Sequence, residues 1–177
     1  FSSTCAVYGT PNKLPVTEEE SKKPESVYGE SKLMFEKILQ WYDKIFEIKH
    51  INLRYFNAAG ATLDGSLGED HSPETHIIPR AINSALSNSS FLLYGDDYDT
   101  PDGTCIRDYI HVLDLASAHI SALNKLNENK KSDDINLGAG KGYSNLEVID
   151  AIKKISGIDF PIEKTPRRAG DPAIVYA

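Results

Sequence analysis

A chain of 177 residues with 40% hydrophobic and 25% charged residues has an ordinary globular composition, enough for one good core or parts of two. Its net charge of −7, without runs of like charge, argues against a nucleic-acid partner. No apolar stretch approaches the ~20 residues of a membrane span, so no membrane partner is expected either.

The two cysteines, Cys5 and Cys105, form no CxxC and read as reduced thiols of a cytoplasmic protein. His50, His71, His76, His111 and His119 show no HExxH or other metal spacing, so we expect no metal.

Residues 1–8 read as the end of a buried strand and a turn, and the proline-punctuated stretch 9–24 as a loop. A helix is predicted from about Val27 to Phe46, where Met34, Ile38, Trp41, Tyr42 and Ile45 recur at helical spacing as a core stripe or, more sharply, a dimer contact. Ile48–Phe56 alternates and is rich in β-formers, a strand. Strand, helix, strand makes a βαβ unit and so a parallel sheet.

After a loop at 60–76 come a helix at about Ile78–Leu86, short strands at Phe91–Tyr94 and Arg107–Val112, and between them a long turn from Gly95 to Thr104. An amphipathic helix from Val112 to Leu126 should turn Leu115, Ala116, His119, Leu123 and Leu126 inward. A strand at Ile135–Leu137 follows, then a Gly-rich loop at 138–142. Ser144-Asn145-Leu146-Glu147 is a capping box opening a helix that ends near Gly157. Residues 158–164 read as a strand, and Arg167–Asp171 as a charged turn in which Arg167 is merely solvated.

The chemically informative feature is Tyr28-Gly29-Glu30-Ser31-Lys32. A phenol and an ammonium four residues apart share one helix face. The cation favours the phenolate, so such a tyrosine can serve as a general base near neutral pH. Thr4, on the preceding strand, could share its proton. Chance alone would supply about 0.7 such pairs in a chain of this composition, so the context carries the weight. The motif opens a helix after a hydroxyl-bearing strand, at the carboxyl edge where parallel sheets bind ligands.

Ser2-Ser3-Thr4-Cys5-Ala6-Val7-Tyr8-Gly9, Tyr28–Lys32 and Leu53-Arg54-Tyr55-Phe56-Asn57 resemble the extended short-chain dehydrogenases/reductases that act on nucleotide sugars. Pro73–Pro79 (PETHIIP), Asp102–Val112 (DGTCIRDYIHV) and Arg167–Asp171 (RRAGD) narrow the likeness to the UDP-glucose (UDP-galactose) 4-epimerases of that family. The resemblance implies an α/β fold: the C-terminal portion of a Rossmann-type NAD-binding domain at 1–59, and a smaller UDP-sugar-binding domain at 60–177, with 107–126 returning to the first. It covers only about the C-terminal half of such an enzyme. No GxGxxG or GxxGxxG fingerprint occurs, so we expect an incomplete protein, inactive as an isolated piece.

The same resemblance assigns roles. Tyr28 would take the proton of the sugar 4-hydroxyl, Lys32 would activate it and hold the nicotinamide ribose, and Thr4 would bridge the 4-oxygen. NAD would accept and return the C4 hydride, with Tyr28, Lys32 and Phe56 as its contacts. Arg107 and Arg168 would bind the diphosphate and Asn57 a phosphate. Asp171 would bind the ribose, Tyr94 would lie beside the uracil, and His76 would contact substrate. Val175 lies where side-chain bulk decides whether an N-acetyl group is admitted, so valine implies some turnover of UDP-GlcNAc/UDP-GalNAc. A homodimer is the family's usual assembly.

Rivals are a UDP-pentose 4-epimerase, a nucleotide-sugar 4,6-dehydratase or decarboxylase, and a non-catalytic sugar-nucleotide-binding or dimerisation fragment. Dehydratases carry an acidic pair after the hydroxyl residue, whereas Cys5-Ala6 follows Thr4 here. The bland reading of the arginines is a pair of surface ion pairs, Arg107 with Asp108 and Arg168 with Asp171.

Overall fold

The computed structural model describes residues 1–177. In chain order its elements are β1 (Ser2–Thr4), a 3-10 turn (Cys5–Val7), α1 (Val27–Phe46), β2 (Ile51–Tyr55), β3 (Asn57–Ala59), α2 (Ile77–Ser87), β4 (Phe91–Tyr94), β5 (Ile106–His111), α3 (Val112–Asn129), β6 (Asp133–Leu137), β7 (Gly142–Ser144), α4 (Asn145–Ser156), β8 (Ile162–Thr165) and β9 (Ile174–Val175). No helix is long and apolar enough to cross a membrane.

β1, β2 and β6 form a parallel sheet in that order, with Thr4 opposite Tyr55 and Tyr55 opposite Leu137. At Phe56 the chain leaves this sheet. Its N–H still bonds Leu137 O, but β3 pairs in parallel with β5 instead. β5 also holds β7, antiparallel, and β9, parallel. β4 and β8 make a separate parallel pair. α3 and β6 carry the chain back to the first sheet, where Ala122 of α3 packs on Ile51 and Leu53 of β2.

Local chemistry explains the helix ends. Ser26 caps α1 by accepting from Gly29 N, 3.0 Å away. α4 opens with the full capping box of Ser144 and Glu147 and closes at Gly157 in the left-handed conformation. At the end of α1, Glu47 is left-handed and the N–H groups of Glu47 and Ile48 return to Asp43 O and Tyr42 O. That closure occupies the residues before Ile51, so the strand begins three residues later than its alternation suggests. Gly29 permits a close approach: a β-carbon there would lie 2.5 Å from Ala6 O in the 3-10 turn.

Three apolar clusters hold the molecule. Val7, Tyr8, Val16, Leu33, Phe56 and Val175 join the first sheet to α1 and β9. Ala81, Ala85, Phe91, Leu93, Ile149 and Phe160 join α2 and α4 to β4 and β8. Ile51, Leu53 and Ala122 form the third. Two expected faces differ from the sequence pattern. Met34, Ile38, Trp41, Tyr42 and Ile45 of α1 are exposed, because this helix buries Gly29, Leu33 and Glu36 instead. On α3 the buried positions are Leu115 and Ala122, while Ala116, His119 and Leu123 face outward. The bulk of these apolar side chains hid the fact that smaller or charged neighbours take the inward face.

The first sheet is tied to α1 by a buried ion pair. Arg54 and Glu36 are both fully buried, and the guanidinium donates Nε to Oε1 at 2.9 Å and Nη2 to Oε2 at 2.8 Å. Ser3 Oγ donates to Glu36 at 2.6 Å, and Arg54 Nη1 donates to Tyr8 Oη at 2.8 Å. Asp134 of β6 completes the pairing, with Lys22 beside it at 2.9 Å. Burial works against the Arg54 charge, but the bonds to Glu36 and Tyr8 outweigh it and hold its pKa above the ordinary arginine value.

Removing one partner leaves the other charge buried and alone. Arg54→Met should therefore lose about 3–5 kcal/mol of stability in urea unfolding, and the double variant Arg54→Met/Glu36→Met distinctly less. A single variant no worse than the double would contradict this. Asp134 adds a pH signature. Burial would raise its pKa, but Asn52, Lys22 and Arg54 overcome that and lower it. Its contribution is thus complete above the unfolded carboxyl value near ~4 and is lost as pH falls through the lower folded value. Urea midpoints should fall below about pH 4, and this loss should be smaller in Asp134→Asn.

Candidate functional site

Thr4 ends β1 and its hydroxyl caps the 3-10 turn, accepting from Ala6 N at 3.2 Å. α1 begins against this turn through Gly29, which brings its first residues to the carboxyl end of the first sheet. Tyr28 is 56% exposed there. Lys32 Nζ lies 5.7 Å from the centre of the Tyr28 ring and donates to Ser2 O at 3.0 Å. The strand carbonyl thereby holds the ammonium close to the phenol.

The second centre is a cleft of about 500 Å³ between β3, β5, the start of α2, β4 and the 168–171 turn. Asn57, His76, Tyr94, Arg107, Arg168 and Asp171 all line it, six residues drawn from across 115 positions of chain. Asn57 is oriented by β5, donating Nδ2 to Asp108 O at 3.1 Å. Arg107 is largely buried. It pairs with Asp171 and donates to Pro172 O at 2.6 Å and Ile106 O at 2.8 Å. The pairing expected with Asp108 does not form. Asp108 is fully buried and accepts from Ala139 N at 2.7 Å, Gly140 N at 3.0 Å and Ala177 N at 3.1 Å. Arg168 makes no ion pair with Asp171; its guanidinium lies 4.1 Å over the Tyr94 ring. Arg167, expected to be solvated, pairs with Asp97 and covers the Tyr98 ring at 4.2 Å.

Arg80 was missed in the sequence. It follows Pro79 in the first turn of α2, lines the cleft, and lies 5.5 Å from the Tyr94 ring centre. Three guanidinium groups and the N-terminal turn of α2 thus converge on one cavity, which suits an anion. Burial pushes the Tyr109 phenol up to about 12 and raises the Cys105 thiol, both lining the cleft, and pushes the Cys5 thiol outside it up to about 11. Two expected contacts do not line this cleft. Phe56, where the chain leaves the first sheet, and Val175, on β9 opposite Arg107, are 6% and 7% exposed and belong to one core cluster with Leu33 and Tyr8. The 69–76 loop folds back and brings Glu69, His71, Glu74 and His76 together, a grouping that the histidine spacing alone did not suggest, with one ligand atom of each within 4.8 Å of the others.

Residues 1–138 match the model of the NAD dependent epimerase/dehydratase family, and the chain belongs to that family. It is 55% identical over 178 residues to a UDP-glucose 4-epimerase of Lactobacillus helveticus, covering 100% of this chain and 54% of that protein. Among solved structures, a UDP-glucose 4-epimerase of Brucella ovis in complex with NAD superimposes with a TM-score of 0.94 at 49% identity, covering 100% of this chain and 55% of that one. A Bifidobacterium longum UDP-glucose 4-epimerase in complex with NAD+ and UDP gives 0.93 at 44%, covering 100% and 54%. The Rossmann-type α/β assignment follows. The chain spans about half the length of the curated relatives it matches.

Asp108 is the support of the cleft's far wall. Asp108→Ala should free the amides of Ala139, Gly140 and Ala177, raise their hydrogen exchange, and cost about 1–3 kcal/mol. Exchange unchanged at these amides would show that the carboxylate does not anchor them.

Proposed function

We propose that this chain carries the proton-transfer and UDP-binding part of a UDP-glucose 4-epimerase, which interconverts UDP-glucose and UDP-galactose by transient oxidation at C4. The observation that carries this reading is the convergence of Arg80, Arg107, Arg168, Asn57, Tyr94 and Asp171 on one cleft, in a chain whose β1 end presents Tyr28 and Lys32. The diphosphate suits the guanidinium groups, which offer planar forks of donors. Asp171 suits ribose hydroxyls, and Tyr94, already flanked by Arg80 and Arg168, offers a face for uracil. Asn57 and His76 add polar contacts at the rim.

At the other centre, Tyr28 removes the 4-hydroxyl proton and returns it after the sugar has turned over in the pocket. Thr4 bridges the 4-oxygen and Tyr28, and Lys32, steadied by Ser2 O, stabilises the phenolate. The exposed phenol and neighbouring ammonium at the carboxyl edge of a parallel sheet fit the nicotinamide and ribose of NAD. Tyr28 and Lys32 would hold it here, and Phe56 would back the site from the core. When bound, NAD supplies the acceptor for the C4 hydride. Cys5-Ala6 after Thr4 offers no acid to expel water, which favours epimerisation over dehydration.

The exposed α1 stripe of Met34, Ile38, Trp41 and Ile45 supports a homodimer, since apolar patches of this size call for cover. The reading places the enzyme in the cytoplasm. Valine at 175 extends it to UDP-GlcNAc and UDP-GalNAc; no turnover of either by the full-length enzyme would remove that extension. A UDP-pentose 4-epimerase would use the same Tyr28, Lys32 and Thr4.

In a protein of the relatives' full length, Tyr28→Phe should lower turnover of UDP-galactose by at least about a thousandfold while UDP binding is retained. Persistent turnover would overturn the assigned base. The 177-residue chain alone should bind UDP by calorimetry and show no epimerase activity with added NAD+. Arg107→Met should weaken that binding by at least tenfold; equal binding would remove the diphosphate assignment.

A further inference from the structure

We propose that the loop between β3 and α2 is a binding site for a divalent transition-metal ion of the zinc class, with Glu69, His71, Glu74 and His76 as ligands. The site shares His76 with the epimerase reading and borders the same cleft, but it does not depend on that reading.

The geometry is that of a ligand set. One ligand atom from each of the four side chains lies within 4.8 Å of the others. His71 Nδ1 is 3.0 Å from Glu69 Oε1 and 3.8 Å from Glu74 Oε2, and His76 Nδ1 is 3.1 Å from Glu74 Oε1 and in contact with Glu69. A tetrahedral ion with bonds of ~2.0–2.1 Å separates its ligand atoms by about 3.4 Å, within the span of these distances. The set is mixed imidazole and carboxylate, which suits zinc, cobalt or nickel and not magnesium or calcium.

Further observations point to a ligand. His76 is the N-cap of α2 yet makes no capping bond; its ring is turned back onto Glu69 and Glu74. The helix gives up a cap, while the imidazole joins the cluster. No lysine or arginine pairs with either carboxylate, so the two imidazoles are their only basic side-chain partners. Glu74 is fixed from behind, its Oε1 accepting from Thr75 N and His76 N at 2.7 Å each, the kind of backing that orients a ligand. Both rings remain open to solvent, with side chains 58% and 59% exposed, so an ion has a direct path in.

Glu69 and His76 also line the cleft. An ion held by them takes up His76 Nδ1, which already faces Glu69 and Glu74, and so denies that nitrogen to an occupant of the cleft. Metal binding and occupancy of the cleft by UDP therefore oppose each other.

The test is calorimetric titration of the untagged chain with zinc chloride. The expected result is one saturable ion per chain, at least tenfold weaker binding in His71→Ala and in Glu69→Gln, and no binding of magnesium chloride. His71 does not line the cleft, so His71→Ala should keep the UDP affinity of the parent while abolishing the weakening of UDP binding by zinc. Absence of saturable zinc binding, or zinc binding undiminished in a folded His71→Ala chain, would overturn the site. The second outcome would place the ion elsewhere, at Cys5 or Cys105 for instance.

Discussion

The placement of Tyr28 and Lys32 against the first sheet hangs on one buried ion pair. Arg54 sits in the middle strand of the first sheet, and Glu36 lies two turns beyond Tyr28 on α1. Their bidentate contact sets how α1 lies on the sheet, and Ser3, Tyr8 and Asp134 complete the hydrogen bonding on all sides. A buried pair of this kind adds little net stability against a well-packed apolar alternative, but its directional bonds tolerate only one arrangement. That arrangement puts the start of α1 on the turn after Thr4. Gly29 then allows the helix to close to van der Waals contact with Ala6, where a side chain could not fit.

The cleft depends on the change of sheet at Phe56. Had β2 run on in the first sheet, Asn57 would lie beside β6. Instead β3 joins β5, and Asn57 is held by Asp108 O next to Arg107. The turn at 168–171 then closes the cavity, because β9 pairs with β5 and brings Asp171 to Arg107. The apolar cluster of α2, α4, β4 and β8 supports the opposite wall, and through it fixes Arg80 and Tyr94. The two centres are therefore set by different forces: polar bonds within the first sheet, apolar packing beneath the cleft.

Apolar exposure is concentrated on α1. Trp41 is 58% and Ile45 60% exposed, while the polar Glu36 is inside. The inversion is consistent once Glu36 is seen as the partner of Arg54. The buried face is narrow, and the remaining apolar stripe is free to meet another surface.

Much was legible without coordinates. The capping box at Ser144, the glycine stop at 157 and the periodicity of Val27–Phe46 are local features, and local chemistry decides them. The Tyr28/Lys32 spacing on one helix face is equally local, and six of the expected substrate residues do meet in one cleft. What could not be read are relations between segments. Arg54 looks like a polar interruption in a strand, Glu36 like a solvated helix residue, and Arg107 like a partner for its neighbour Asp108. Each finds its partner 18 to 64 positions away, or none nearby, because burial makes distant opposite charges meet. Val175 and Phe56 likewise went inward, packing with Leu33 and Tyr8 from distant parts of the chain. The residues by themselves determined the helices, their ends and the chemical groups available. Only the tertiary structure decided which faces were buried and which charges paired, since those depend on contacts between segments far apart in the chain.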